Sequence, residues 1–467
     1  MIGNAERSQI IESTSTEYIR RNNTSFYTSI WLWIFLLLVI TIPFISTAEP
    51  LTREEVQIGT LHPYNGPTTA GTDRSTLIGK VMCGYQGWFN AEGDGAERGW
   101  VHWTKHRAAL EPGNAKFDLW PDVTELAPEE RFKTGFHYPD GRVAEVFSSY
   151  NRQTVLRHFE WMRDYGIDGA FVQRFITDLG DPRALRHNNI VLASCREGAN
   201  RAGRTYALMY DLSGLGVGRV GSVLDDFRAL RDRMKLTEDP AYLHHRGKPL
   251  VAVWGIGFSD RRAYSMEECK QLVETLEKEG CSVMLGVPTS WRELTRDALP
   301  DPALHDLLRL ADIVSPWSVG RYGDLAGIKR HSEKFTTPDL AWCKEQKLDY
   351  LPVVFPGFSW HNMTGKALDQ IPRQDGNFFW AQFAMVKQAG AQMIYVAMFD
   401  EVDEGTAIFK CTNEVPLPGE SAFVGLGGLP SDYYLRLTGT AAKMLRGDIP
   451  FSSSIPKDFI SPGRHSE

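Results

Sequence analysis

Eight short apolar runs, separated by amphipathic stretches, constrain the fold of this chain more than any other feature. They fall at 81–85, 168–174, 205–210, 249–254, 282–287, 312–317, 350–355 and 393–399. Val81-Met82-Cys83-Gly84-Tyr85 and Met393-Ile394-Tyr395-Val396-Ala397-Met398-Phe399 show the pattern: nearly every position is apolar. Strands that read this way are covered on both faces, as in parallel sheets wrapped by helices. The stretches 153–165, 182–202, 221–234, 264–279, 334–347, 377–389 and 431–445 carry apolar residues at helical spacing. Eight strands, each followed by a helix or a long connection, are the count of a (β/α)8 TIM barrel. A doubly wound open sheet is the other parallel architecture, and it usually has fewer strands. The chain has 467 residues, room for one large barrel with long βα loops.

Residues 76–450 are therefore expected to form a single barrel domain, followed by a C-terminal tail, 451–467. Residues 49–75 are polar, rich in Pro and Gly and without periodicity, and read as a linker. Residues 1–48 read as a targeting segment: Arg20-Arg21 precede the apolar run Ile30 to Ile42, and Ser46-Thr47-Ala48 fits a small-x-small cleavage site. The run is shorter than the roughly 20 residues of a membrane span. The expectation is a signal peptide or an uncleaved anchor over 30–45, giving a periplasmic, extracellular or membrane-tethered protein. Six cysteines are scattered without a C-x-x-C pair, which removes zinc-ribbon and thioredoxin-like readings. Export permits disulfides; buried free thiols are the alternative. The net charge of −7 argues against a nucleic-acid backbone as partner.

The segment Phe399-Asp400-Glu401-Val402-Asp403-Glu404-Gly405-Thr406 carries four acids in five positions directly after the last apolar run. In barrels the active site lies at the C-terminal ends of the strands. Crowded carboxyls there repel one another, so some are pushed to higher pKa while others stay ionised. Glycoside hydrolysis uses such a split: one carboxylic acid protonates the leaving oxygen, and one carboxylate acts as base or nucleophile. Glu401 and Glu404 reach one cleft together if the loop turns helically after the strand. The other reading is an acidic surface loop; a calcium loop of the EF-hand type is excluded by the residue order.

This segment resembles the N-E-W-H-E-G-T signature of glycoside hydrolase family 99, the endo-α-mannosidase type, and of related family 71/99-like proteins. Glu401 and Glu404 fall on its two glutamates, and Gly405-Thr406 continue it. Gly84-Tyr85-Gln86-Gly87-Trp88-Phe89-Asn90 followed by His102-Trp103 resembles the first-strand motif. Ser148-Ser149-Tyr150 through Ile167-Asp168-Gly169-Ala170 resembles the second unit, and Arg373-x-x-Gly376 with Phe379-Trp380 the segment before the last helix. The likeness spans roughly residues 80–445. It departs at Asp400 for Asn, Val402 for Trp and Asp403 for His. The resemblance implies an α-linked oligo- or polysaccharide substrate, endo action and retention. It also implies Glu401 as the base that helps the sugar's 2-hydroxyl attack C1, and Glu404 as acid/base. Asp403 would add charge beside Glu404 and raise its pKa.

Other candidate binding residues stand at strand ends. Tyr85 and Trp88 follow the first strand and are either cleft walls or loop packing. His102 and Trp103 carry the motif likeness and read as binding residues. Trp254, Trp317 and Trp360 end the fourth, sixth and seventh units and either stack on pyranose rings or fill the barrel top. Gln173-Arg174 and Tyr210-Asp211 end the second and third strands; they bind hydroxyls or anchor loops, and Arg174 has the further option of pairing with a loop acid. Gly216-Val217-Gly218-Arg219-Val220-Gly221 matches G-x-G-x-x-G. It lags its strand, and no acid ends the next one, so dinucleotide binding is rejected. Asn362-Met363-Thr364 is a sequon. No H-E-x-x-H or G-x-S-x-G occurs. The expected partner is a carbohydrate, with no metal and no organic cofactor; oligomeric state is left open. A carbohydrate-binding barrel that has lost catalysis is the rival reading, motivated by the three departures. A barrel enzyme that uses the acids to hold a divalent metal is a third.

Overall fold

The computed structural model describes residues 51–459. The expected targeting segment, 1–48, the anchor run within it and the last eight residues of the tail lie outside the described residues. Among the described residues no helix is long and apolar enough to cross a membrane.

Eight parallel strands form the barrel: β1 (Val81–Tyr85), β2 (Gly169–Phe175), β3 (Thr205–Asp211), β4 (Lys248–Trp254), β5 (Ser282–Pro288), β6 (Ile313–Trp317), β7 in two pieces (Asp349–Tyr350 and Val353–Val354) and β8 (Ile394–Val396). Neighbours in sequence are neighbours in the sheet. The barrel closes where β8 pairs with β1, Val81 against Ile394 and Cys83 against Val396. The two halves of β7 divide their pairing: Asp349 and Tyr350 face β6, while Val353 and Val354 face β8. Pro352, which has no N–H to give a ladder, sits at the break.

Helices α1 (Arg152–Tyr165), α2 (Pro182–Ala202), α3 (Gly221–Met234), α4 (Met266–Lys278), α5 (Ala303–Leu308), α6 (Leu325–His331, continuing through the π-helical turn Ser332–Thr336 into Thr337–Glu345), α7 (Asn377–Ala389) and α8 (Tyr433–Arg446) each follow the strand of the same number. Their ends are set by local chemistry. Asn151 and Asp181 cap the first N–H groups of α1 and α2. Ser265 and Glu268 form a capping box on α4. Gly166, Gly203 and Gly447 end α1, α2 and α8 in left-handed conformation. The stretch read as a linker contains a helix, Arg53–Thr60, boxed by Thr52 and Glu55. It is tied to the barrel: Arg53 donates to the Leu179 carbonyl, and Asn189 of α2 donates to Thr60 Oγ1.

Two apolar layers result from the two faces of each strand. Met82, Phe171, Ala207, Met209, Leu250, Ala252, Met284, Ile313 and Tyr395 fill the barrel interior. Val81, Cys83, Tyr85, Val172, Leu208, Tyr210, Val251 and Val253 pack outward against the helices. All six cysteines are buried and unbonded. The excursion after β1 is long and contains an antiparallel hairpin, Phe132–His137 with Val143–Val146. It folds back over the barrel mouth, where Leu119 bridges to Val424 and Pro121 to Cys411.

Helix α8 crosses the end of α1 at Gly439, where a Cβ would lie 1.7 Å from the Tyr165 carbonyl oxygen. That obstacle is backbone and cannot rotate away. Gly439→Ala is expected to destabilise the fold by about 1–3 kcal/mol, as overpacking does elsewhere, read as a lowered urea midpoint with an unchanged slope.

Candidate active site

The segment after β8 is placed by hydrogen bonds from three directions. Phe399 N donates to the Gly84 carbonyl, extending the β8–β1 contact past the ladder. Asp400, fully buried, then accepts from the backbone amides of Gln86 at 2.8 Å and Gly87 at 2.9 Å. Its carboxyl is nevertheless pushed up to about 7, because burial outweighs those two donors. From the other side, Arg373 Nη2 donates to the carbonyls of Gly405 (2.8 Å) and Ala407 (2.7 Å), and Ser359 N donates to the Glu404 carbonyl.

Between these anchors the chain makes a turn rather than a helix. Gly405 N reaches the Val402 carbonyl, and Thr406 N and Ala407 N both reach that of Glu401. Gly405 has φ +67°, and a Cβ there would come within 2.9 Å of Ser359 N, so the turn needs glycine. The turn sorts the four acids into two pairs. Glu401 and Glu404 face the cavity at the barrel mouth. Asp400 and Asp403 point away, Asp400 to the β1 loop and Asp403 to His102, whose Nδ1 lies 2.9 Å from Oδ2.

The two glutamates differ in their surroundings. Glu401 is buried and accepts from Gln86 Nε2 and from Thr406 Oγ1, each at 2.7 Å. Glu404 is half-buried and has no such pair of donors. The Trp360 indole N–H lies near it and lowers its pKa without meeting full hydrogen-bond geometry. Burial, then repulsion from neighbouring carboxylates, raises both groups, Glu404 to about 8. Two carboxylates this close do not both ionise readily near neutrality. The two donors on Glu401 favour its charged form and oppose part of that rise, and Glu404 has no such pair.

The cavity has a volume of about 570 Å3, within the range of ligand sites. Side chains at or just beyond the ends of every strand but β5 line it. Trp88, Phe175, Trp254, Trp317, Phe358 and Trp360 form its aromatic walls, and Gln86, Gln173, Asp211 and Ser213 its polar parts. The indole N–H groups of Trp88, Trp254 and Trp360 are buried without a protein partner among the described residues. The aromatic walls suit a ligand that presents flat apolar ring faces.

Of the residues singled out from sequence, Trp88, Gln173, Asp211, Trp254, Trp317, Trp360, Glu401 and Glu404 meet in this cavity. The others do not, for reasons of strand parity and packing. Tyr85 faces outward from β1, and its hydroxyl meets His158 Nδ1 at 2.9 Å beneath α1. Arg174 likewise faces outward from β2. It holds Asp226 of α3 through Nε and Nη2, at 2.5 and 2.6 Å, rather than any loop acid. Trp103 is core, packed on Phe89, Phe117 and Phe147, with its N–H on the Phe147 carbonyl. His102 stands behind the wall, stacked on Trp88 at 3.8 Å with rings 5° from parallel. Asp403 lies beneath the loop. The sequon residue Asn362 is buried, its amide donating to the carbonyls of Phe117 and Ala422, so a glycan on that nitrogen is incompatible with this packing.

Sequence reasoning passed over Lys116, Asp118 and Tyr395. Asp118, fully buried, gathers Ser359 Oγ and the amides of His361 and Asn362, which seats the β7 loop. Tyr395 sits in the cavity wall, its hydroxyl 3.1 Å from Gln173 Nε2; inward parity on β8 would have signalled it. Lys116 and Asp118 lie in an irregular excursion with no local signal. Among the described residues no group of three or more His, Cys, Asp or Glu side chains is placed to hold a metal ion.

No protein-family model matches the chain, and no curated protein matches it in sequence. Its fold is similar to that of solved structures of the GH99 endo-alpha-mannosidase from Bacteroides thetaiotaomicron. One, in complex with bis-tris-propane, is 14% identical with a TM-score of 0.57, and another is 16% identical with a TM-score of 0.56. Each match covers 80% of this chain and 99% of the other. At such identity the likeness carries the barrel fold.

Glu404, raised from 4.5 to about 8 in the folded protein, keeps a proton that the unfolded chain releases at lower pH. Its contribution to stability is therefore whole below about 4.5 and is lost as pH rises through about 8. Glu404→Gln should melt higher than the parent protein at pH 8 and show no such gain at pH 4.5, in paired thermal scans.

Proposed function

We propose that this protein is a glycoside hydrolase acting on an α-linked oligo- or polysaccharide, with Glu404 as general acid/base and Glu401 as base. The observation that carries the reading is the unequal environment of two glutamates facing one aromatic-walled cavity: two donors on Glu401 and none of that kind on Glu404, in a setting that raises the pKa of both. Enzymes of this class need one carboxyl protonated and one ionised at the same pH. The barrel shared with the GH99 endo-alpha-mannosidase structures supports it.

In this reading the glycosidic bond lies between the two groups. Glu404 gives its proton to the leaving oxygen as the C1–O bond breaks. Glu401 takes the proton of the sugar's 2-hydroxyl, whose oxygen forms a bond to C1. Water then opens that intermediate: Glu404, now ionised, takes a proton from the water, and Glu401 returns one to the 2-oxygen. Both groups end as they began, and the anomeric configuration is retained after two inversions. Trp88, Trp254, Trp317 and Trp360 serve as stacking faces for the sugar rings.

Leaving-group dependence tests the roles. Glu404→Gln should lower kcat/KM on a glycan or alkyl glycoside by about 10²- to 10⁴-fold, with a much smaller first-step loss on an aryl glycoside whose leaving group needs no proton. Glu401→Gln should lose both. Equal losses on the two substrates for Glu404→Gln would reject its role as the acid. Saccharide binding without turnover of any substrate by the parent protein would favour the catalytically lapsed barrel.

A further inference from the structure

Asp403 has a costly environment that the cavity itself does not explain. It is 1% exposed, one residue before Glu404, with its side chain on the far face of the turn. Oδ2 meets His102 Nδ1 at 2.9 Å and lies 3.9 Å from Lys116 Nζ, while Oδ1 has no protein partner among the described residues. A buried carboxylate with half its oxygens unpaired is expensive. His102 adds to the cost: it holds φ +63°, a left-handed conformation that residues with a Cβ seldom adopt. Its ring is stacked on Trp88, so the imidazole that holds Asp403 also backs a cavity wall. Lys116 Nζ is 3.4 Å from the same Nδ1. Because Nδ1 donates to Asp403, the ammonium acts there as a nearby charge and not as a second donor to the ring.

We propose that Asp403 is a positioning residue, a fixed negative charge that keeps the proton on Glu404, with His102 as its clamp and Lys116 as the opposing charge that limits it. The inference rests on the assignment of Glu404 as proton donor. The charged groups around Glu404 are Glu401 and Asp403 on its own loop, Asp211 at the end of β3, and Lys116 from the excursion after β1. Arg321 and Lys366 line the same cavity from the loops after β6 and β7. Among the charges that bear on Glu404, that of Asp403 raises it most and that of Lys116 lowers it most. The signature that the loop resembles carries a histidine in place of Asp403.

The test uses two single variants that should move one carboxyl in opposite directions. Asp403→Asn keeps an acceptor for His102 and removes the charge; Lys116→Gln removes the opposing charge. The Glu404 carboxyl is followed by infrared difference titration of the full chain, its band identified by its loss in Glu404→Gln. The expected result is a titration about one pH unit lower in Asp403→Asn and a higher one in Lys116→Gln, with the alkaline limb of kcat/KM following in each. A merely structural role would lower activity at every pH without opposed shifts. Unshifted titrations, or two shifts of the same sign, overturn the proposal. Opposed shifts in a protein that hydrolyses no glycoside support the positioning role while overturning the glycosidase reading.

Discussion

The site depends on how the barrel is closed. β8 is short, and its pairing with β1 covers Val81 to Cys83 against Ile394 to Val396. What carries the closure beyond the ladder is the Phe399 amide on Gly84 and the Asp400 carboxylate on the amides of Gln86 and Gly87. Those bonds fix the first acid of the loop against the first strand's end. They also bring Gln86 to the place from which its side-chain amide reaches Glu401. One buried carboxylate thus joins the last strand to the first and seats the residue that follows it.

The electrostatics follow from that seat. Four carboxyls within five positions would repel one another into solvent if nothing restrained them. Here the turn at Val402–Gly405, held by Arg373 on the carbonyls of Gly405 and Ala407, sends them alternately to two sides. The pair on the far side is met by backbone amides and by His102, and the pair on the near side shares the cavity. Burial then does the remaining work, raising both near-side groups, while the two donors on Glu401 set its surroundings apart from those of Glu404.

Much of this architecture was legible in the chain. Every strand expected from an apolar run is present, and most helix bounds agree within a few residues, because buried parallel strands and capped amphipathic helices write their periods locally. The shortfalls have local causes too. Pro352 splits β7, and α5 and the first turns of α6 are too short to show a helical period. Arg53–Thr60 hid in a Pro/Gly-rich stretch because a single buried residue, Val56, marks its inner face. Tyr85 and Arg174 stood at strand ends as Trp254 and Trp317 did, but one position off in parity, and period two sends such neighbours to opposite faces. That error could be corrected from sequence only by knowing which parity faces inward.

The amino-acid sequence by itself determined that the chain would wind into a parallel barrel and that an acidic loop would emerge at its mouth, since both are consequences of residues close together in the chain. Only the tertiary structure decided which acids share the cavity, that burial raises the pKa of both, and that Gln86, Thr406, Trp360, Lys116 and His102 attend them. Those relations join atoms up to 315 positions apart. They arise from the burial and approach of groups that no local pattern records, and the pKa of a carboxyl is set by what surrounds it in space.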